Sequence, residues 1–275
     1  LRGCAKPLCQ TRVLYFCPIK MDSKSAQLTI HYPAGWGGRR AGAGRKRMGP
    51  RKRVPHRARP KLASRFPVHV TVRMLAGLPR LRGFDSARVL RRAFVHGCKN
   101  DGFRICQFSV QGNHLHLICE AKNNRALARG VQMWKTRVTK GLNRHWRLSR
   151  GWLRKGTVFD DRYHAQIMKS PRQVRAGICY VMQNARRHGL TLPRWANGID
   201  PFSSACYFDG WRDQRWRKSL PPPVPEPDAD KPPVAPAHTW LLTQGWRRHG
   251  LIGSTEVPAI GRGAARSRST PPPRR

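Results

Sequence analysis

The residues with the most chemistry in them fall in two short runs. The first, Asn113-His114-Leu115-His116-Leu117, alternates imidazole with leucine. Successive side chains of an extended strand point to opposite faces, so His114 and His116 share one face while Leu115, Leu117 and Cys119 share the other. Two imidazoles side by side make half of a divalent-metal site. They are also two histidines that could make ordinary hydrogen bonds on an exposed sheet face, and the spacing alone leaves both readings standing. The second run is Cys179-Tyr180-Val181-Met182-Gln183-Asn184. On a helix, Tyr180 and Asn184 lie about 40° apart. Both flank the apolar stripe Val174, Ile178, Val181, Met182 and Ala185, whereas Gln183 falls nearly opposite that stripe and is expected to face solvent. A phenol with an amide oxygen one turn later can offer a nucleophile and a third metal ligand together. The plainer alternative is a ring packed at the core edge and an amide without a task.

A strand and a helix must position these runs, and the surrounding pattern supplies them. Val68-His-Val-Thr-Val-Arg73 alternates as a strand does. Asp85 or Ser86 can cap a helix with Val89, Leu90, Ala93, Phe94 and Gly97 on its apolar face, ended by Asn100-Asp101-Gly102. Residues 103–110 read as a second strand, Gln111-Gly112-Asn113 as a tight turn, and residues 114–120 as a third strand. Asn123-Asn124 opens a long helix with Leu127, Val131, Trp134 and Val138 in phase. Residues 157–168 form a fourth, extended segment, and Ser170-Pro171 starts the helix that carries Tyr180 and closes at His188-Gly189. The order β-α-β-β-α-β-α predicts an α+β fold: a ferredoxin-like split βαβ antiparallel sheet with an added C-terminal helix bearing the tyrosine. Tyr163, the other tyrosine of this core, shares the apolar side of its segment with Phe159, Ala165 and Ile167 and is assigned to packing.

Charge supplies the partner. The chain of 275 residues has a formal net charge of +42, and such an excess calls for a polyanion to offset self-repulsion. Residues 39–65 hold twelve Lys or Arg and no acid, so residues 1–66 read as a basic, largely disordered arm that lies on phosphates, or else as a solvated tail. Residues 67–190 form the folded core. Residues 191–275 comprise an aromatic stretch over 195–216 that can pack back, a linker with eight prolines over 220–236, a short helix within 238–252 and a basic tail. Arg73, Arg162, Lys169, Arg172 and Arg175 in the core, with Arg45, Lys46 and Arg47 in the arm, are candidate DNA contacts; a solvated basic face is the alternative for each. The acids of the core are Asp85, Asp101, Glu120, Asp160 and Asp161, too scattered for a two-metal nuclease built on carboxylates. Gly42-Ala43-Gly44-Arg45 lacks the spacing of a phosphate-binding P-loop. None of the eight cysteines pairs at C-x-x-C spacing, which points away from zinc; four sit inside apolar patterns and read as small buried hydrophobes, which points to a reducing compartment; and no apolar run reaches membrane-spanning length. The first methionine is Met21, and the sequence begins at Leu1, which leaves the translation start open.

Taken together, the pieces resemble the HUH single-strand transposases, and more closely their REP-associated tyrosine transposase branch. The resemblance rests on the entry strand at residues 68–73, the His-hydrophobic-His strand, Gly156-Thr-Val-Phe-Asp-Asp-Arg-Tyr163, and Tyr180-Val-Met-Gln-Asn184. The lead-in Gly37-Gly-Arg-Arg-Ala-Gly-Ala-Gly-Arg-Lys46 and the stretch from Ser203-Ser204 to Trp211 add to it. It implies that Tyr180 is the nucleophile, that His114 and His116 are the metal pair, and that Asn184 is the third ligand. It further implies cleavage and rejoining of single-stranded or hairpin DNA through a 5′-phosphotyrosine, with transposition as the outcome, in the cytoplasm of a bacterium and associated with the nucleoid. A mixed His/Asn site suits Mg²⁺ or Mn²⁺. A homodimer is compatible with this reading, and a membrane partner is not expected. Two positions depart from the family pattern: Asn113 stands where an Asp usually precedes the first histidine, and Ala185 stands where a Pro usually follows the Asn. The alternatives are a non-catalytic nucleic-acid-binding protein or degenerate copy, and a replication nickase of the same chemistry. An RNA-binding sheet of the RRM kind would want stacking aromatics on its central strands, and the His114–Leu117 run has none.

Overall fold

Alternation along the strands decides the layering. The computed structural model describes residues 58–160, 162–192, 198–213 and 231–257. Strands β1 (Val68–Arg73), β2 (Lys99–Asn100), β3 (Phe103–Val110), β4 (His114–Ala121) and β5 (His164–Ile167) form one antiparallel sheet in the order β2-β3-β4-β1-β5. Helices α1 (Phe84–Val95) and α2 (Asn124–Arg150) cover one face. Val68, Val70 and Val72 of β1 and Leu115, Leu117 and Cys119 of β4 point into that layer, where they meet Leu90, Phe94, Leu127, Val131, Trp134 and Val138. The β-α-β-β-α-β-α frame is therefore present.

The helices start and stop for local reasons. Asn123 caps α2 by accepting from the Ala126 amide, and Gly151 ends it at φ 63°, a left-handed conformation natural to glycine. Gly130 lets α2 approach β3: a Cβ there would stand 2.1 Å from the Phe103 ring. Ser170 caps α3 (Pro171–Met182), with Pro171 in its first turn.

Four details differ from the sequence reading. Helix α1 starts at Phe84 with Gly83 as its cap, and Asn100-Asp101-Gly102 belongs to the β2–β3 hairpin, not to a helix end. A register shift between Ile105 and Gln107 lets Ile105 and Phe108 both face α1 and α2, as a bulge allows. Within residues 157–168 only His164–Ile167 is strand, although Phe159 bridges Met74 further up. The last helix is not continuous: α3 ends at Met182, Gln183 has φ −104° and ψ 15°, and α4 (Asn184–Arg187) follows.

The second face of the sheet is covered by α3 together with residues 198–213 and 231–257. Ile118 and Cys106 meet Val174, Ile178, Met182, Phe208, Trp211, Leu242 and Trp246 there. The aromatic stretch thus does pack back on the core through Phe208 and Trp211. The helix expected within 238–252 is a short α5 (Trp240–Thr243) followed by a 3-10 turn over Gly245–His249. Two buried charges anchor these segments. Glu120 accepts from the backbone amides of His238 (3.0 Å) and Thr239 (2.7 Å), and Arg82 makes a bidentate pair with Asp200 at 2.8 and 2.9 Å. Packing also reaches below residue 67: Leu62 is buried, its amide donates to Asn124, and the Arg59 guanidinium stacks on Tyr163 at 3.7 Å. No described helix is long and apolar enough to cross a membrane. Cys98, Cys106, Cys119, Cys179 and Cys206 are free thiols.

Candidate catalytic centre

On β4, Leu115, Leu117 and Cys119 are turned toward α1 and α2, so His114, His116 and Ile118 face α3, as the alternation predicts. The rings of His114 and His116 stand 4.9 Å apart, centroid to centroid. Neighbouring strand β1 adds His69 and Thr71 on the same face; Thr71 lies directly across from His116, and Arg73 across from His114. His116 is buried, and its Nδ1 lies 3.1 Å from His69 Nε2 and 3.2 Å from Thr71 Oγ1. His114 Nδ1 lies 2.9 Å from the Asn113 side-chain oxygen. In both histidines Nδ1 is engaged, which leaves Nε2 to act as acceptor or ligand.

Tyr180 leans against this group. Its ring lies 5.2 Å from that of His116 and 5.6 Å from that of His69, both edge-on, and the Arg187 guanidinium sits 5.0 Å above it. Tyr180 is half-buried. Asn184 is fully buried, and neither its amide oxygen nor its nitrogen has a hydrogen-bond partner; the same holds for His116 Nε2. Buried polar atoms are nearly always paired, so an unpaired imidazole nitrogen and an unpaired amide on adjoining elements are donors free to hold a ligand. His188, one turn beyond Asn184, brings its ring to 6.0 Å from His114.

Burial keeps these imidazoles neutral. It lowers His69 and His114 to about 4, with further help from neighbouring histidines, and lowers His116 to about 2 for the same reasons in the same order. Neutral imidazole is the form that binds a metal. The orphaned Nε2 and amide oxygen therefore fit a divalent ion held by His114, His116 and Asn184. Among the described residues no three His, Cys, Asp or Glu side chains form a metal cage, so such an ion would rest on two imidazoles and one amide.

The other residues singled out from sequence are scattered. Arg73, Lys169 and Arg172 are exposed, and Arg162 is half-exposed. Arg175 is consumed by an ion pair with Glu256 at 2.7 Å. Arg45, Lys46 and Arg47 lie outside the described residues. Tyr163 belongs to the α1–α2 core, its hydroxyl buried without a partner, and burial raises its pKa. Gln183, expected to face solvent, is 2% exposed; residues 250–257 cover that side of the helix and supply two carbonyls to its amide. Sequence reasoning missed His69, Arg187 and His188. His69 was legible, because it shares its strand face with Thr71 and Arg73; His188 follows Tyr180 and Asn184 at steady four-residue steps.

Residues 77–184 match the family described as "Transposase IS200 like". This segment, less than half of the chain, is thus similar to the IS200-like transposases. The match spans α1 through the first residue of α4 and so includes His114, His116, Tyr180 and Asn184. Among solved structures, one described as the "Structure of the REP associates tyrosine transposase bound to a REP hairpin" is similar, with 16% sequence identity and a TM-score of 0.43 over 55% of this chain and 82% of that one. No curated protein matches.

Proposed function

We propose that this transposase domain cleaves and rejoins single-stranded DNA, with Tyr180 as nucleophile and with His114, His116 and Asn184 as the site of Mg²⁺ or Mn²⁺. One observation carries the reading. Tyr180 stands edge-on to His116, whose Nε2 is buried and unpartnered, in a helix pair that also buries the unpartnered amide of Asn184. A divalent ion, when bound, neutralises charge on the scissile phosphate. The residues do the rest. Tyr180 gives up its phenolic proton and its oxygen bonds to phosphorus; the P–O3′ bond breaks, and the departing 3′-oxygen takes up a proton. The phosphotyrosine keeps the energy of the broken bond, so the 3′-hydroxyl can reverse the step without ATP. Arg187, above the Tyr180 ring, adds positive charge where the phosphate must come. Hairpin DNA is the substrate proposed, as in the printed description of the similar solved structure.

The test is a labelled single strand carrying a hairpin, incubated with the protein and Mg²⁺ or Mn²⁺. A covalent adduct that resists denaturation and disappears with chelator is the expected result. If binding is observed with no adduct under either ion, the chain is a binding protein or an inactive copy.

A further inference from the structure

Two rows of side chains run along the α3–α4 pair at four-residue steps. Tyr180, Asn184 and His188 make one row; Arg175, Cys179 and Gln183 make the next. On a helix, rows one residue apart are turned by about 100° from one another, so fixing either row fixes the direction of the other. The second row is held by residues 250–256. The Arg175 guanidinium donates to both carboxylate oxygens of Glu256 at 2.7 and 2.9 Å, to the Gly250 carbonyl at 2.9 Å and to the Leu251 carbonyl at 3.0 Å. Cys179 Sγ lies 3.6 Å from Glu256 Oε1. Gln183 donates its amide to the carbonyls of Gly253 (3.2 Å) and Ser254 (2.7 Å). Gln183 is also the residue at which α3 breaks and α4 begins, so these bonds act at the joint between Tyr180 and Asn184.

Apolar contacts do not fix a helix this way. Val174, Ile178, Val181 and Met182 bury α3 against the sheet, but such packing is non-directional and tolerates small rotations. The bonds from residues 250–256 are directional and include a bidentate ion pair. A displacement of about 1 Å at a nucleophile can cost on the order of 100-fold in rate.

We propose that residues 250–256 act as a clasp that sets the rotation of α3, and with it the reach of Tyr180 and Asn184, so that Arg175, Gln183 and Glu256 are positioning residues for strand cleavage. This rests on the cleavage reading above. It also gives Arg175 a task other than the DNA contact expected from sequence.

Charge reversal separates the two tasks. Single-turnover adduct formation is measured at saturating hairpin DNA, where the rate no longer depends on affinity, for the full chain and for Arg175→Glu, Glu256→Arg and the double reversal. Each single reversal should slow the reaction by about tenfold, and the double should be faster than Arg175→Glu but slower than the unaltered chain, because it restores the ion pair and not the bonds to the Gly250 and Leu251 carbonyls. Melting temperatures are taken alongside; if a reversal unfolds the protein, the milder Glu256→Gln and Gln183→Met carry the same comparison, each assayed at a temperature where the variant is still fully folded and each expected to be slower there. The clasp is overturned if both single variants react at the unaltered rate, or if the double variant stays as slow as Arg175→Glu. A positioning role also requires the rate to fall at a temperature where the variant is fully folded; an unaltered rate there, with only the melting temperature lowered, would make the segment merely structural. An unaltered chain that forms no adduct overturns the cleavage reading and the clasp with it.

Discussion

Tyr163 and Tyr180 have the same hydroxyl in opposite surroundings, and a pair of identical substitutions exploits this. Tyr163→Phe removes a buried hydroxyl without a partner, so stability should hold or rise slightly and adduct formation should persist. Tyr180→Phe should retain hairpin binding and lose the adduct. The same labelled-DNA gel reads both, and the reverse pattern would exchange their roles. The histidines give a second prediction. In the unfolded chain they take up protons below about 6.5, while in the folded protein His69 and His114 stay neutral to about 4 and His116 further still. The unfolded state therefore binds more protons as pH falls through this window, and stability declines. The urea midpoint should be lower at pH 5 than at pH 7, and His69→Gln should shrink that difference; an unchanged difference would show that His69 is not a source of it. At this scale the sequence was informative. His114, His116, Tyr180 and Asn184 could be picked out because period and residue type coincide on single elements. His69 belongs to the group through pairing across strands, and Gln183 was misjudged because a segment about 70 residues further on covers it.

Elements were read well where their pattern was long and regular, as in α2, and poorly where tertiary contacts end them. The break at Gln183 has no sequence signal of the glycine or proline kind; the residue is held by distant carbonyls. The bulge in β3 does have one, since Ile105 and Phe108 are out of phase for a flat strand, and the covering layers explain why both must turn inward. Contact between α2 and β3 depends on Gly130, where the Phe103 ring occupies the space of a side chain. Gly130→Ala should lower stability by about 1–3 kcal/mol through overpacking, despite the better helix propensity of alanine. Denaturant unfolding reads this directly, and a stabilised variant would contradict the packing.

For the whole molecule, charge and layering were legible to different degrees. The net charge of +42 points to a polyanionic partner without any structure. The covering of the second sheet face by residues 198–213 and 231–257 was only partly foreseen, because it depends on isolated anchors such as Glu120 and Asp200 rather than on any periodic pattern. The basic arm of residues 39–65 was likewise drawn too long as a free segment, since Arg59 and Leu62 pack on the core. A truncation that tests it should remove residues 1–57 and leave these contacts in place. Loss of phosphate contacts should flatten the dependence of log K on log salt by roughly 0.7 per contact for a single strand, with the adduct rate at saturating DNA preserved. An unchanged slope would make the arm a bystander.

The bonds to Gln183 and Arg175 have a consequence in time. A chain emerging from the ribosome has made His69, His114, His116, Tyr180, Asn184 and His188 well before it makes residues 250–256. If residues 250–256 set the aim of Tyr180 as proposed, a nascent or prematurely ended chain would carry all of the proposed reacting groups with a poorer aim. On the clasp proposal, full competence toward DNA would then arrive only late in synthesis.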